Sequence, residues 1–381
     1  MHKLYNENTN IDYINESIFF GKSGRNVQRY DEPKYPDFYK LGEKMDSQFW
    51  KPSEISLSKD VIDYKKLSPS ERHIFDSNLM RQSVLDSIQG RSLLATFGRV
   101  CTSPELEFAL TRVQFQETNH SDTYTYIIRA VKDNPREILD SILKTKIITK
   151  HTTSIKMYYE RFYNLLAKWE ALPEIQNEAT FKELKKALYL ALISWNVLEG
   201  VRFYVSFACT FAFAENKLME GNAKELKLIA RDENIHLALT QRLINILNKE
   251  ESEGFVEIAK ECEEEAIKIF RDTMQDEIEW VKYLFKDGSI IGLNEEILTD
   301  YMKELTSKRM KAIKLPKIVD NYQHGTLPWM KMWLGEERVE ERPQETQIAS
   351  YAIGILKDDG AWEESEDNKM FNCDGFVYRY Q

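Results

Sequence analysis

The sequence predicts an all-α protein built around a four-helix bundle. Its 381 residues include only 15 glycines and 10 prolines, whereas average usage would give about 45 of these turn-forming residues. Scarce turns favour long helices over short strands. Apolar residues also recur at alternating steps of three and four, the period of a buried helical face. Finally, four of the predicted helices carry acidic side chains on that face, which requires a shared explanation.

The helix starts follow from local chemistry. Ser68 caps the first helix, Pro69 occupies its first turn and Glu71 completes a capping box. A second Ser-Pro pair at 103–104 starts another helix in the same way. Later boundaries are set by Pro and Gly pairs and by the turn at 286–288. The predicted helices cover residues 69–90, 104–133, 135–172, 181–218, 221–248, 254–285 and 294–314.

These helices predict one large domain rather than the two or three that length alone suggests. We assign residues 1–65 to an irregular N-terminal arm, 66–340 to the helical domain and 341–381 to a flexible C-terminal tail. The formal net charge of −10 disfavours nucleic acid as a partner. Four dispersed cysteines and a polar N-terminus predict a cytoplasmic protein. The most apolar stretch, residues 203–214, is too short to span a membrane, so no membrane association is expected.

Two helices carry a Glu-x-x-His motif on their apolar stripe. Glu117 and His120 occupy the helix after Pro104, and Glu233 and His236 occupy the helix after Gly221. A buried carboxylate is costly unless it is paired, hydrogen-bonded or bound to a metal. A single such motif arises easily by chance, so the argument depends on the repetition.

Two further buried carboxylates complete a pseudo-repeat. Asp86 precedes the first motif by 31 residues, and Glu199 precedes the second by 34. Taken alone, Glu199 is more simply explained as a partner of Arg202. Together, four carboxylates and two imidazoles inside a four-helix bundle are typical of the dinuclear carboxylate proteins of ferritin-like fold. Four negative charges match two divalent metals, and the ligand types favour iron or manganese over structural zinc. Each imidazole should have an acceptor for its outer nitrogen.

Tyr124 distinguishes the two halves of the repeat. It lies one helical turn after His120, where the second half has Thr240. A core tyrosine is ordinarily a packing residue, but beside an oxygen-activating metal pair a buried phenol is an electron donor. Phe203 and Phe207, one and two turns after Glu199, either shield such a site from water or are ordinary core aromatics.

The chain resembles the small, radical-generating subunit of class I ribonucleotide reductase over residues 18–352. The resemblance is carried by the segments LDSIQGR (85–91), ETNHSDTY (117–124), LEGVRFYVSFA (198–208), LMEGNAK (218–224), IARDENIH (229–236) and FKDGSIIGLN (285–294). It implies that two metal ions are bound by Asp86, Glu117, His120, Glu199, Glu233 and His236. It implies that oxygen reacts with the reduced metals, with iron expected and manganese the alternative, and leaves an oxo-bridged centre and a stable radical on Tyr124. Phe203, Phe207 and Ile229 would form the pocket around this radical.

The same resemblance implies a partner and a route to it. The radical would pass to the large catalytic subunit, which reduces ribonucleotides to deoxyribonucleotides for DNA synthesis. Trp50 would carry it, with Asp232 bridging toward His120; in the tail, Tyr351 would hand it across the interface, with Glu345 as an acidic helper. The tail would dock on the large subunit, and the chain would form a homodimer.

Two other classes of protein share parts of this pattern. An iron-storage protein of ferritin type has the bundle but is shorter and lacks the tail and the Trp50 arm. A dinuclear oxygenase would turn over a hydrocarbon substrate without a large subunit. Iron content per chain and turnover by the isolated chain distinguish these readings.

Overall fold

The computed structural model describes residues 5–7, 16–21 and 25–335. This part of the chain is almost entirely helical, and its β-structure is limited to two isolated bridges. Its helices are Pro36–Ser47 (α1), Ser58–Lys66 (α2), Pro69–Leu93 (α3), Pro104–Val131 (α4), Pro135–Ser141 (α5), Lys146–Ala171 (α6), Glu178–Val197 (α7), Tyr204–Glu215 (α8), Glu220–Leu247 (α9), Val256–Glu261 (α10), Glu263–Phe285 (α11), Glu295–Ala312 (α12) and Trp329–Trp333 (α13).

The central bundle pairs α3 with α4 and α7 with α9, and α4 and α9 contact each other across it. The predicted start of α3 is confirmed, since Ser68 Oγ accepts a hydrogen bond from Glu71 N at 3.3 Å and Glu71 Oε2 accepts one from Ser68 N at 2.8 Å. Ser103 caps α4 by accepting from Leu106 N at 3.2 Å. Such caps satisfy amides that have no partner within the helix.

Several sequence-based assignments of secondary structure are wrong. The predicted helix 135–172 is divided into α5 and α6 by a 3-10 turn, Ile142–Lys144. Thr145 follows this turn in an extended conformation, and its hydroxyl donates to Ser141 O at 3.1 Å. Such a bond competes with the helical backbone. The helix predicted over 254–285 is divided into α10 and α11 at Cys262, and the segment predicted to be irregular contains α1 and α2. The three-part domain division itself stays a prediction.

The helix predicted over 181–218 is interrupted by a π-helical segment, Leu198–Arg202, between α7 and α8. A second π-helical segment, Leu94–Gly98, extends α3. In the first of these segments, Gly200 permits close packing against α9, because an added Cβ would lie 2.9 Å from Leu237 Cδ1. Its carbonyl accepts from Arg309 Nε of α12 at 3.1 Å. Single π-helical turns inside α-helices occur frequently at functional sites.

The stretch Glu178–Glu215 is long and apolar enough, by length and composition alone, to cross a membrane. Its apolar window is wholly buried within the described part of the chain. A helix that is apolar on all sides and buried on all sides is typical of the centre of a globular core.

Candidate metal centre

The bundle brings the six predicted ligands together. Asp86 comes from α3, Glu117 and His120 come from α4, and the second Glu-x-x-His motif comes from α9. The fourth carboxylate, Glu199, lies in the π-helical segment. All six side chains have zero exposure. Their ligand atoms form two overlapping groups, each within 4.8 Å, which are Asp86, Glu117, His120 and Glu233 on one side and Glu117, Glu199, Glu233 and His236 on the other.

The shared members give the site its form. Glu117 and Glu233 belong to both groups, whereas the other four residues belong to one group each. His120 Nδ1 lies 3.2 Å from Glu233 Oε1 and 3.6 Å from Asp86 Oδ2. On the other side, His236 Nδ1 lies 3.2 Å from both Glu117 Oε1 and Glu233 Oε2 and 3.8 Å from Glu199 Oε2. Both inner imidazole nitrogens therefore face the carboxylates.

The unsatisfied atoms of this cluster fit a pair of cations. Both oxygens of Asp86 and of Glu117, Oε2 of Glu199 and Oε1 of Glu233 lack a hydrogen bond of normal geometry. Buried polar atoms are almost always hydrogen-bonded, and buried charges are paired or bound to metals. Six orphaned oxygens within one buried cluster of carboxylates and imidazoles therefore indicate a dinuclear metal site.

The four buried carboxylates would repel each other if all of them were ionised without a bound cation. Burial is the main cause that raises the pKa of Asp86 to about 6, of Glu117 to about 8 and of Glu233 to about 7. The charge of a neighbouring carboxylate adds to each rise. Burial also raises the pKa of Glu199. Two bound cations would supply the positive charge that keeps all four groups ionised.

Each imidazole has the outer acceptor that the sequence led us to expect. His120 Nε2 faces Asp232 Oδ2 at 3.4 Å, and His236 Nε2 faces Gln116 Oε1 at 2.8 Å. Such contacts assign the proton to Nε2 and leave Nδ1 free to bind metal. Sequence reasoning missed Gln116, although its place four residues before His120 on α4 puts both side chains on one face of the helix.

Asp232 also connects His120 to an aromatic residue. Trp50 Nε1 donates to Asp232 Oδ2 at 2.8 Å, and the indole stacks on the His120 ring with centroids 6.3 Å apart. Burial alone would raise the pKa of Asp232, but the hydrogen bond with His120 and the charge of Arg231 hold it below its usual range. Trp50, Asp232 and Gln116 all line a surface pocket of about 300 Å³.

Tyr124 lies on α4 with zero exposure, and its hydroxyl lacks a hydrogen bond of normal geometry. Burial, and then the charges of Asp86 and Glu233, raise its pKa well above the ordinary value. The residue is therefore a neutral phenol. Thr240 in the other half is a hydrogen-bonding residue instead, since its Oγ1 accepts from Asn196 Nδ2 at 2.8 Å.

Comparison with known proteins agrees with this geometry. Residues 28–323 match the family model described as ribonucleotide reductase, small chain. The chain belongs to this family. Its members are the radical-generating small subunits of class I ribonucleotide reductase, an oxidoreductase that works with a large subunit. The predictions of the family and of an all-α, ferritin-like fold are confirmed.

Curated relatives are similar over nearly their full length. The chain is 46% identical to the ribonucleoside-diphosphate reductase subunit beta of Buchnera aphidicola, with 94% of this chain and 96% of the relative covered. It is 43% identical to the reductase 1 subunit beta of Escherichia coli O157:H7, with 91% and 94% covered. Among solved structures, the R2 subunit from Clostridium botulinum matches with a TM-score of 0.72 at 28% identity, covering 84% of this chain and 94% of that one.

Of the remaining residues that the family resemblance singled out, three lie within the described part of the bundle. Phe203, Phe207 and Ile229 are fully buried, and the two phenyl rings stack with centroids 5.9 Å apart. Their role as a pocket around the radical stays a prediction. Tyr351 and Glu345 lie outside the described residues.

A third cluster of metal-binding residue types differs from the dinuclear site. It consists of His151, Asp276 and Glu279, at the surface between α6 and α11. Lys150 lies 2.5 Å from Glu279, and Arg202 lies 3.1 Å from Asp276. Because both carboxylates of this cluster already have a cationic partner, their charges are balanced without a metal ion.

Proposed function

We propose that this chain generates the radical on Tyr124 and that the six clustered residues hold the two metal ions that make it. In this proposal Asp86 and His120 would hold one ion, and Glu199 and His236 would hold the other. Glu117 and Glu233, which belong to both ligand groups, would contribute to both. The observation that carries the proposal is the pair of overlapping ligand groups with a buried phenol one helical turn beyond His120.

We propose iron as the metal and keep manganese as the alternative. Both metals are considered because carboxylate and imidazole ligands suit both. A structure of similar fold, at 18% identity and a TM-score of 0.63, is the dimanganese(II)-NrdF of Streptococcus sanguinis. Two such ions in their reduced state would react with dioxygen and so supply the oxidising power needed to remove one electron from the Tyr124 phenol. The chain itself excludes water, since every ligand is fully buried.

The surroundings of Tyr124 suit the formation and storage of a radical. The raised pKa keeps the phenol protonated until it is oxidised. A proton released on oxidation has an acceptor within the site, because Asp86 and Glu233 are the charged groups that act on the hydroxyl. Phe203, Phe207 and Ile229, all without exposure, are the residues we propose to shield the radical from reductants.

Transfer to the large subunit is proposed to follow His120, Asp232 and Trp50. The hydrogen bond from Trp50 to Asp232 at 2.8 Å supports this route. Trp50 is 3% exposed and borders the surface pocket, so the route ends where a partner can approach. Tyr351 and Glu345 would continue it from the tail, which would dock on the large subunit. We propose that the protein works in the cytoplasm as a homodimer, without membrane or nucleic-acid partners.

The test is to load full-length apo-protein with Fe(II), admit oxygen and record the EPR spectrum. We expect two iron ions per chain and a tyrosyl signal that is absent in Tyr124→Phe, although Tyr124→Phe still binds two ions. Tyr189→Phe is the matched control, because it removes the hydroxyl of a buried tyrosine whose partner is Asn248. Manganese is loaded in parallel to decide between the metals.

Other outcomes would support the competing functions. Hundreds of iron ions per chain would indicate iron storage. Oxidation of a hydrocarbon by the isolated chain would indicate an oxygenase. If the chain binds two ions of each metal but neither metal gives an EPR signal that depends on Tyr124, the proposal is overturned.

A further inference from the structure

Glu199 is held differently from the other carboxylates of the site. Its Oε1 accepts hydrogen bonds from Trp195 Nε1 at 2.5 Å and from Gln89 Nε2 at 3.0 Å. Its Oε2 has no hydrogen bond of normal geometry and faces His236 Nδ1 at 3.8 Å. One oxygen is therefore occupied by the protein, and the other points toward the ligand cluster. Asp86, which serves the other ion, has no hydrogen bond of normal geometry on either oxygen.

A third buried residue determines which way the Gln89 amide points. Tyr159 OH donates to Gln89 Oε1 at 2.7 Å. Since the amide oxygen accepts this bond, the amide nitrogen must face Glu199. Burial, and then the charge of Glu199, raise the pKa of Tyr159 well above the ordinary value, so the phenol stays a donor. Gln89, Tyr159 and Trp195 are all at most 3% exposed.

Both π-helical segments contribute a residue to this group. Phe97, in the segment Leu94–Gly98, stacks on Trp195 with centroids 5.2 Å apart and meets the edge of Tyr159 at 5.7 Å. Glu199 itself lies in the other segment, Leu198–Arg202. This packing fixes the ring of Trp195, which donates to Glu199, and the ring of Tyr159, which donates to Gln89. Side chains whose rotamers are fixed by packing hold a ligand in one orientation.

We propose that Trp195, Gln89 and Tyr159 are positioning residues that hold Glu199 as a ligand through Oε2 alone. The inference rests on the proposed dinuclear site and adds an asymmetry to it. An ion beside His236 would meet a carboxylate whose orientation is set by outer donors. On the side of His120, neither oxygen of Asp86 accepts a hydrogen bond of normal geometry. Hydrogen bonds to a ligand from outer residues typically change metal affinity by about 10–100-fold when they are removed.

The test uses Co(II) alone as a spectroscopic probe of full-length apo-protein. Its visible bands report coordination number, and competition with a chelator gives the two affinities separately. We expect Trp195→Phe and Gln89→Leu to weaken one of the two sites about tenfold and to shift the bands of that site only. Tyr159→Phe should move both quantities in the same direction by a smaller factor, because Gln89 keeps its place but loses the bond that orients it.

Two matched controls separate positioning from general loss of packing. Tyr189→Phe removes a buried Tyr–Asn bond of 2.8 Å, similar to the Tyr159–Gln89 bond. Trp280→Phe removes a buried indole bond to Asn78 of 3.1 Å. Both controls should lower the melting temperature as much as the test variants do and leave the Co(II) bands unchanged. Tyr159→Phe keeps every ring in place and carries the test if Trp195→Phe does not fold.

Unchanged affinities and bands in Gln89→Leu and Tyr159→Phe, or equal changes in the controls, would overturn the inference alone. A wild-type protein that fails to bind two Co(II) ions per chain would overturn the proposed function as well.

Discussion

The two halves of the metal site use the same Glu-x-x-His motif with different outer partners. His120 faces the carboxylate of Asp232, which also accepts the Trp50 indole proton. His236 faces the neutral amide of Gln116. A charged acceptor stabilises positive charge on an imidazole more than an amide does. The pseudo-repeat therefore links one imidazole, through Asp232, to the buried indole of Trp50. The other imidazole has only an amide as its outer partner.

The largest expected effect is the loss of this connection. Trp50→Phe removes the donor to Asp232 but keeps an aromatic ring, so the radical on Tyr124 should form normally. Turnover with the large subunit should fall to background. EPR and deoxyribonucleotide formation measured on the same sample check this, with Trp280→Phe as the control. A Trp50→Phe protein that retains turnover would place the route elsewhere.

The two outer acceptors should fail in different ways. Asp232→Asn keeps an acceptor oxygen but removes the charge, and we expect turnover per radical to fall by about 10–100-fold. Gln116→Leu removes the acceptor of His236, and we expect metal affinity to fall by a similar factor while turnover per radical is kept. Chelator competition and the turnover assay separate these effects. If both variants changed the same quantity, the two halves would be equivalent.

The metal-free protein should lose stability as pH rises. The carboxyl pKa values of Asp86, Glu233 and Glu117, about 6, 7 and 8, lie above those of the unfolded chain. The native state therefore binds more protons than the unfolded state, so its stability falls with pH. The contribution is complete below the ordinary carboxyl pKa and is lost as pH rises through 6 to 8.

Calorimetric melting temperatures of apo-protein and metal-loaded protein between pH 5 and 8.5 test this. We expect the apo-protein to melt several degrees lower at the alkaline end, and Glu117→Gln to flatten that slope. The affinity of the protein for metal should rise over the same pH range, because metal binding displaces protons from the carboxyl groups. A melting temperature of the apo-protein that rises between pH 6 and 8 is the opposite of the expected result.

The smallest expected effect concerns the support of Trp50. Asn119 Nδ2 donates to Trp50 O at 3.2 Å. Asn119→Ala should lower the free energy of unfolding by about 1 kcal/mol and reduce turnover only slightly. Asn245→Ala is the control, because it removes a similar bond to Ala312 O at 3.0 Å. Denaturant unfolding should give equal losses for both variants, and only Asn119→Ala should affect turnover.

The ligand set illustrates how much of a site can be predicted from sequence. Steps of three and four residues put Glu117, His120 and Tyr124 on one face of a helix regardless of what packs against it. Their place on an apolar stripe then predicts burial, and burial of acids predicts a cation. Trp195 lies four residues before Glu199 and therefore shares its helical face. Spacing alone, however, does not identify the hydrogen-bond partner of an indole.

What the sequence determined by itself is therefore the all-α fold, the repeated motif, and the residues that share each buried face. Only the tertiary structure decided that Gln116 meets His236, that Tyr159, Gln89 and Glu199 form a hydrogen-bonded chain, and that Trp50 donates to Asp232. It also decided the π-helical turn at Glu199 and the breaks between α5 and α6 and between α10 and α11. The physical reason is range: helical periodicity acts over three or four residues, whereas these hydrogen bonds join positions 70 to 182 residues apart.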